Sequence, residues 1–117
     1  MRYLILSDLH ANLQALDAVV DETTGRYDQA LCCGDLIGYG ADPNPVVEWV
    51  RAHCAQVVRG NHDKACTGLD DLAWFNPVAR HAAIWTQQAK DGSFSQSKAD
   101  RIHRFLRGKE FFQVPGL

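Results

Sequence analysis

"LILSDLHANLQ", residues 4–14, decides the fold. The apolar run Tyr3–Leu6 reads as a short buried strand. It breaks into Ser7-Asp8-Leu9-His10-Ala11-Asn12, after which Leu13, Leu16, Val19 and Val20 recur at helical spacing. Asn12 predicts an N-cap for a helix over 13–23, ended by Gly25. A turn needs only one polar residue. An Asp and a His two apart at the lip of a strand point to something held there. Working outward, the same punctuation recurs. Residues 30–33 predict a second strand stopped by Gly34-Asp35. Asn44-Pro45 opens a second helix, a cap followed by proline at the first helical position, with Val46, Val47, Trp49 and Val50 as its apolar residues. Residues 56–58 predict a third strand, stopped by Gly60-Asn61. This alternation predicts an α/β fold with parallel strands and right-handed crossovers. Beyond residue 64 the pattern turns helical. Pro77 starts a helix to about residue 89 with Val78, His81, Ala82 and Trp85 on one face, and Ser95 caps another through residue 107, ended by Gly108.

At 117 residues and 46% hydrophobic, the chain fits one domain able to bury a core. A formal net charge of -2 gives no electrostatic footprint for nucleic acid. No apolar run approaches the ~20 residues of a membrane span, and the run before Ser7 is too short for a signal peptide. A cytoplasmic protein with no membrane partner is expected. None of the four cysteines shows C-x-x-C spacing. Cys32 and Cys33 read as small buried hydrophobes on opposite strand faces. Cys66, near polar loop residues, is a minor ligand candidate.

The three strand ends share a chemistry. The first carries Asp8 and His10, the second Asp35, the third Asn61, His62 and Asp63. Parallel strands put these ends along one edge, where ligand sites of open α/β sheets sit. Two carboxylates, an imidazole and an amide carbonyl suit manganese, iron or zinc better than calcium. Two ions about 3.5–4 Å apart can clamp the attacking and leaving oxygens of a phosphoryl displacement. Taken singly, each strand end could be ordinary cap or turn chemistry; three in succession argue against coincidence. The Gly34–Gly40 loop as a nucleotide cradle is the weaker alternative, because it lacks the lysine and third glycine of the known fingerprints.

The blocks "SDLHAN" (7–12), "CGDLIGYGADPNPV" (33–46) and "VVRGNHD" (57–63) resemble the calcineurin-like metallophosphoesterase superfamily. Gly38-Tyr39-Gly40 stands where its protein phosphatases carry Asp-Arg-Gly. With "FNPVARHAAIWTQQ" (75–88), this is similar to the small bacterial phosphodiesterase-like group. The resemblance covers roughly residues 2–107. It implies the N-terminal part of a four-layer α/β/β/α sandwich and a metal-dependent hydrolase of phosphomonoesters or phosphodiesters. The substrate would be a small phosphoester or nucleotide-type molecule, and the cofactors two divalent ions, Mn, Fe, Zn or Ni. Asp8 and His10 would bind one ion, Asp35 would bridge both, and Asn61 would bind the second. His62 would reach the substrate phosphate and stabilise the transition state or protonate the leaving oxygen. Asp63 would orient His62, and Asn12 would support the site from behind.

The chain departs from the family pattern in two later histidine blocks, one with His-Gly and one with Gly-His-x-His; it has neither. After His62 its only histidines are His81, expected to pack on its helix face, and His103, expected in solvent. The tail "GKEFFQVPGL" (108–117) stops matching. Residues 1–117 are therefore expected to be a single, incomplete, C-terminally truncated domain. Its sheet would expose an apolar face, covered by a homo-oligomer or domain swap. Its metal affinity would be low. The alternative to an active enzyme is a weakly active or inactive metal-binding, oligomerising remnant. Trp74-Phe75 is read as a packing anchor rather than a cleft wall.

Overall fold

The computed structural model describes residues 1–68 and 71–92. The helix expected over 95–107, His103 and the tail over 108–117 lie outside them. In chain order the elements are β1 (Tyr3–Leu6), α1 (Leu13–Thr23), β2 (Gln29–Cys32), α2 (Pro43–His53), β3 (Cys54–Val57), α3 (Asn61–Cys66), a 3-10 turn (Leu72–Trp74) and α4 (Pro77–Gly92). The strands form one parallel sheet in the order β1-β2-β3. Tyr3 pairs with Gln29, Leu6 with Cys32 and Cys32 with Val57, with an irregularity between Ala30 and Leu31. This is the parallel α/β arrangement expected from the alternation.

Strand alternation sorts the core. Leu6 packs with Leu16 of α1 and Val46 of α2, flanked by Leu4, Leu13 and Trp49. Cys32 and Val57 join Val47, Val50, Leu36, Ile37, Cys66 and Ala83 in a second cluster. Ile5, on the opposite face of β1 from Leu4 and Leu6, is 62% exposed. Complete burial of such a side chain stabilises by about 1.5–3 kcal/mol, which this face of β1 largely forgoes.

Four expectations are corrected. Asn44 does not cap α2: Asp42 holds that position, Pro43 is in the first turn, and Asn44 is buried with its Oδ1 lacking a hydrogen-bond partner. Cys33 is exposed while Cys32 is buried, because the strand ends at Cys32 and the next side chain falls on the other face. The segment after Gly60, read as turn chemistry, is helix α3, which buries Cys66 in the core rather than at a site. In α4 the buried face is Ala79, Ala83 and Thr86, while Val78, His81 and Trp85 are exposed. Small residues let α4 lie close to α2 and α3, and Gln87 Nε2 donates to the Ala65 carbonyl at 2.7 Å. Among the described residues no helix is long and apolar enough to cross a membrane.

Candidate metal centre

The loops after β1 and β2 run side by side beyond the strands proper. Cys33 N donates to Leu6 O (2.7 Å), Asp8 N to Gly34 O (3.0 Å), His10 N to Asp35 O (2.9 Å) and Ala11 N to Leu36 O (2.8 Å). Along this path Asp8, His10, Ala11 and Asp35 take positive φ of 57°, 47°, 55° and 55°. The left-handed region is sparsely used by residues other than glycine, and such strain clusters at functional sites.

Asp8, His10 and Asp35 converge: one ligand atom from each lies within 4.8 Å of the others. His10 Nε2 is 3.4 Å from Asp8 Oδ1, while its Nδ1 lies 3.2 Å from the Ile37 carbonyl. A carbonyl can only accept, so in this contact Nδ1 carries a proton and Nε2 is the nitrogen turned toward the carboxylates. This is the arrangement of a metal-binding imidazole. Ser7 Oγ donates to Asp8 Oδ2 at 2.6 Å, and this bond holds the Asp8 carboxyl below its usual range. Asp35 Oδ1 accepts from His62 N at 3.0 Å, tying the second strand end to the third. Gly60 makes that closeness possible: a Cβ there would collide with the Asp35 carboxylate and lie 2.7 Å from Asp35 N.

Asp63, expected to orient His62, does something else. Its Oδ1 accepts from Leu36 N (2.9 Å) and Ile37 N (3.2 Å), and its Oδ2 from Gly60 N (2.9 Å). Fully buried, it clamps the loop after β2 to the turn before α3. Burial pushes its carboxyl up to about 6 against the pull of those amides. Asn12 caps α1, its Oδ1 accepting from Ala15 N at 3.0 Å. Asn61 opens α3 at the same edge with an exposed side chain.

His62 stands beside the carboxylates in an aromatic setting. Its ring centroid is 4.8 Å from that of His10, 4.7 Å from Tyr39 and 4.9 Å from Phe75. Burial lowers its pKa. Phe75 is thus a wall of the site, while its neighbour Trp74 is 86% exposed. Arg80 fixes the turn that delivers Phe75, donating to the carbonyls of Leu72 (3.2 Å) and Phe75 (3.1 Å). The sequence reading passed over Tyr39 and Ser7 as site residues; the paired glycines around Tyr39 were the available signal.

Two carboxylates and a prepared imidazole fit a first-row divalent ion. No cysteine joins this group; burial pushes the thiol of Cys32 up to about 12 and that of Cys54 up to about 11. A groove of about 990 Å³ runs from Asp8, His10 and Tyr39 along β1 to Ile5 and Val19.

A family model described as calcineurin-like phosphoesterase matches residues 1–114. The protein MJ0912 of Methanocaldococcus jannaschii is 42% identical over 111 residues, covering 91% of this chain and 45% of that protein. The symmetrical bis(5'-nucleosyl)-tetraphosphatase of Erwinia tasmaniensis is 27% identical over 118 residues, covering 97% and 40%. The crystal structure of a metallophosphoesterase from Sphaerobacter thermophilus superposes with a TM-score of 0.64 at 44% identity, covering 87% of this chain and 40% of that one. The chain therefore corresponds to the N-terminal part of this fold and spans less than half the length of these relatives.

Proposed function

The chain belongs to the calcineurin-like phosphoesterase family, and from that premise we propose that it is a metal-dependent hydrolase of small phosphomonoesters or phosphodiesters of nucleotide type. The observation that carries this is the convergence of Asp8, His10 and Asp35 from two strand ends, with the His10 tautomer set for ligation. Asp8 and His10 would hold one divalent ion, Asp35 would be shared by two, and Asn61 would hold the second. Bound ions supply Lewis acidity toward a phosphoryl oxygen and acidify a water. His62, half-buried beside His10, would hydrogen-bond the phosphoryl group or give a proton to the departing oxygen. Asp63 would keep the two loops in register so that Asp35 and His62 stay apposed. The resemblance of the Erwinia enzyme, which acts on a dinucleoside tetraphosphate, supports a nucleotide-type substrate. The four cysteines are all free, in keeping with a cytoplasmic setting.

The test is hydrolysis of bis(p-nitrophenyl) phosphate with added Mn²⁺. Chelation should abolish it, and Asp35→Asn should lower the rate on the order of 100-fold or more. An Asp35→Asn protein that turns over at the wild-type rate would sink the assignment. A second reading is a chain that binds metal with little or no turnover. It is favoured by the position of His81 on the exposed side of α4, so that among the described residues the grouped ligands number three. It predicts stoichiometric Mn²⁺ binding without hydrolysis.

A further inference from the structure

Packing covers only about half of Tyr39. It is 49% exposed and sits at φ 64°, a conformation that disfavours a bulky side chain. It is held between two glycines. A Cβ at Gly38 would lie 2.9 Å from His62 Nδ1, and one at Gly40 would collide with the His10 carbonyl and lie 2.7 Å from the Ala11 carbonyl carbon. The chain thus clears both neighbours of side chains and keeps an aromatic ring at the strained position between them. Glycine or asparagine would adopt that φ more readily. One part of the Tyr39 ring meets the rings of His10 (5.0 Å, edge-on) and His62 (4.7 Å, tilted). Tyr39 also lines the groove that begins at Asp8 and His10.

We propose that Tyr39 is the specificity residue of this site: its open face stacks the base of a nucleoside phosphate whose phosphate lies against Asp8, His10 and His62. The inference rests on the phosphoesterase reading for the position of the phosphate and adds what recognises the organic half. Two observations favour a flat ring over an alkyl or sugar group. About half of an aromatic side chain is left exposed beside the two histidines. The groove beyond has room for such a group. Stacking of a base on an aromatic side chain is sequence-tolerant and strong enough to dominate selectivity.

The experiment measures binding of AMP, ribose 5-phosphate and inorganic phosphate to the Mn²⁺-loaded chain by titration calorimetry. It uses wild type, Tyr39→Phe and Tyr39→Asn. Asparagine tolerates the left-handed backbone, so this variant removes the ring without adding strain. AMP should bind wild type and Tyr39→Phe roughly tenfold or more tighter than ribose 5-phosphate. Tyr39→Asn should erase that margin, weakening AMP far more than ribose 5-phosphate or phosphate. Equal affinity of wild type for AMP and ribose 5-phosphate would overturn the stacking role and leave the phosphate site standing. So would a Tyr39→Asn protein that loses all three ligands in parallel, since that marks a structural role. Failure of wild type to bind any of the three would overturn the phosphate site and the stacking role together.

Discussion

Replacing Asp63 by Ala should come close to unfolding the protein. Its carboxylate satisfies three backbone amides, those of Leu36, Ile37 and Gly60, from inside the fold. Alanine removes every acceptor at once, and each buried unsatisfied group costs about 1–3 kcal/mol. Relief of one buried charge and entry of water offset part of this. A net loss of about 3–5 kcal/mol results, comparable to breaking a buried ion pair. Typical domains have only about 5–15 kcal/mol to lose. In urea, at a slope of about 2 kcal/mol/M, the midpoint followed by far-ultraviolet circular dichroism should fall by about 1.5–2.5 M. A midpoint within about 0.5 M of wild type would show that the clamp holds little. The pH dependence tests the same clamp. Burial raises Asp63 to about 6, above about 3.9 for an unfolded chain. The folded state therefore binds this proton more tightly, and stability contributed by the group is present below about pH 4 and lost as pH rises through about 6. At 1.36 kcal/mol per unit, the loss is about 3 kcal/mol at most. Asp63→Asn has nothing to titrate, so its deficit against wild type should be largest near pH 4 and shrink toward pH 7. A deficit that grows with pH would mean that the amides outweigh burial.

Gly60→Ala should cost about 2–4 kcal/mol, because the added Cβ meets Asp35, including its backbone N at 2.7 Å, which cannot swing aside. An unchanged melting temperature would contradict the close approach. Ile5→Ser should leave stability within about 0.5 kcal/mol, since Ile5 is 62% exposed. If copies of the chain cover the open sheet face, the same substitution should lower the particle mass in light scattering; identical masses would refute that expectation.

Most of the strand–helix alternation was legible because Gly or Asp follows each strand within three residues, and α1 matched its expected limits, while β2 and β3 begin one and two residues earlier than expected. Boundaries slipped where the signal was ambiguous. Asp42-Pro43-Asn44-Pro45 offers two cap–proline pairs, and the earlier one starts α2. The six-residue α3 was hidden because Asn61-His62-Asp63 is also turn chemistry. Its one local mark is Asp63 reaching back three residues to Gly60 N. In α4 apolar residues lie on both faces. Burial goes to Ala79 and Ala83 because close helix contact selects size over hydrophobicity. For the site, Asp8, His10 and Asp35 could be gathered from topology alone. Tyr39 and Phe75 could not: their rings meet His62 across distant loops, and the sequence marks them only by the glycines beside Tyr39 and by the aromatic pair Trp74-Phe75.

The left-handed backbone under the site carries a consequence for which residues can ever occupy it. Asp, Asn and His are the side chains, glycine apart, that tolerate positive φ best. They are also side chains that carry an oxygen or imidazole nitrogen able to ligate a metal. At Asp8, His10 and Asp35, conformational preference and ligand chemistry therefore select from the same small alphabet. Glutamate offers the same carboxylate and cysteine a stronger ligand for soft metals, yet neither shares that backbone tolerance. The ligand set is in this sense written partly in φ: a chain bent this way favours short oxygen and imidazole donors over thiolates before any ion is chosen.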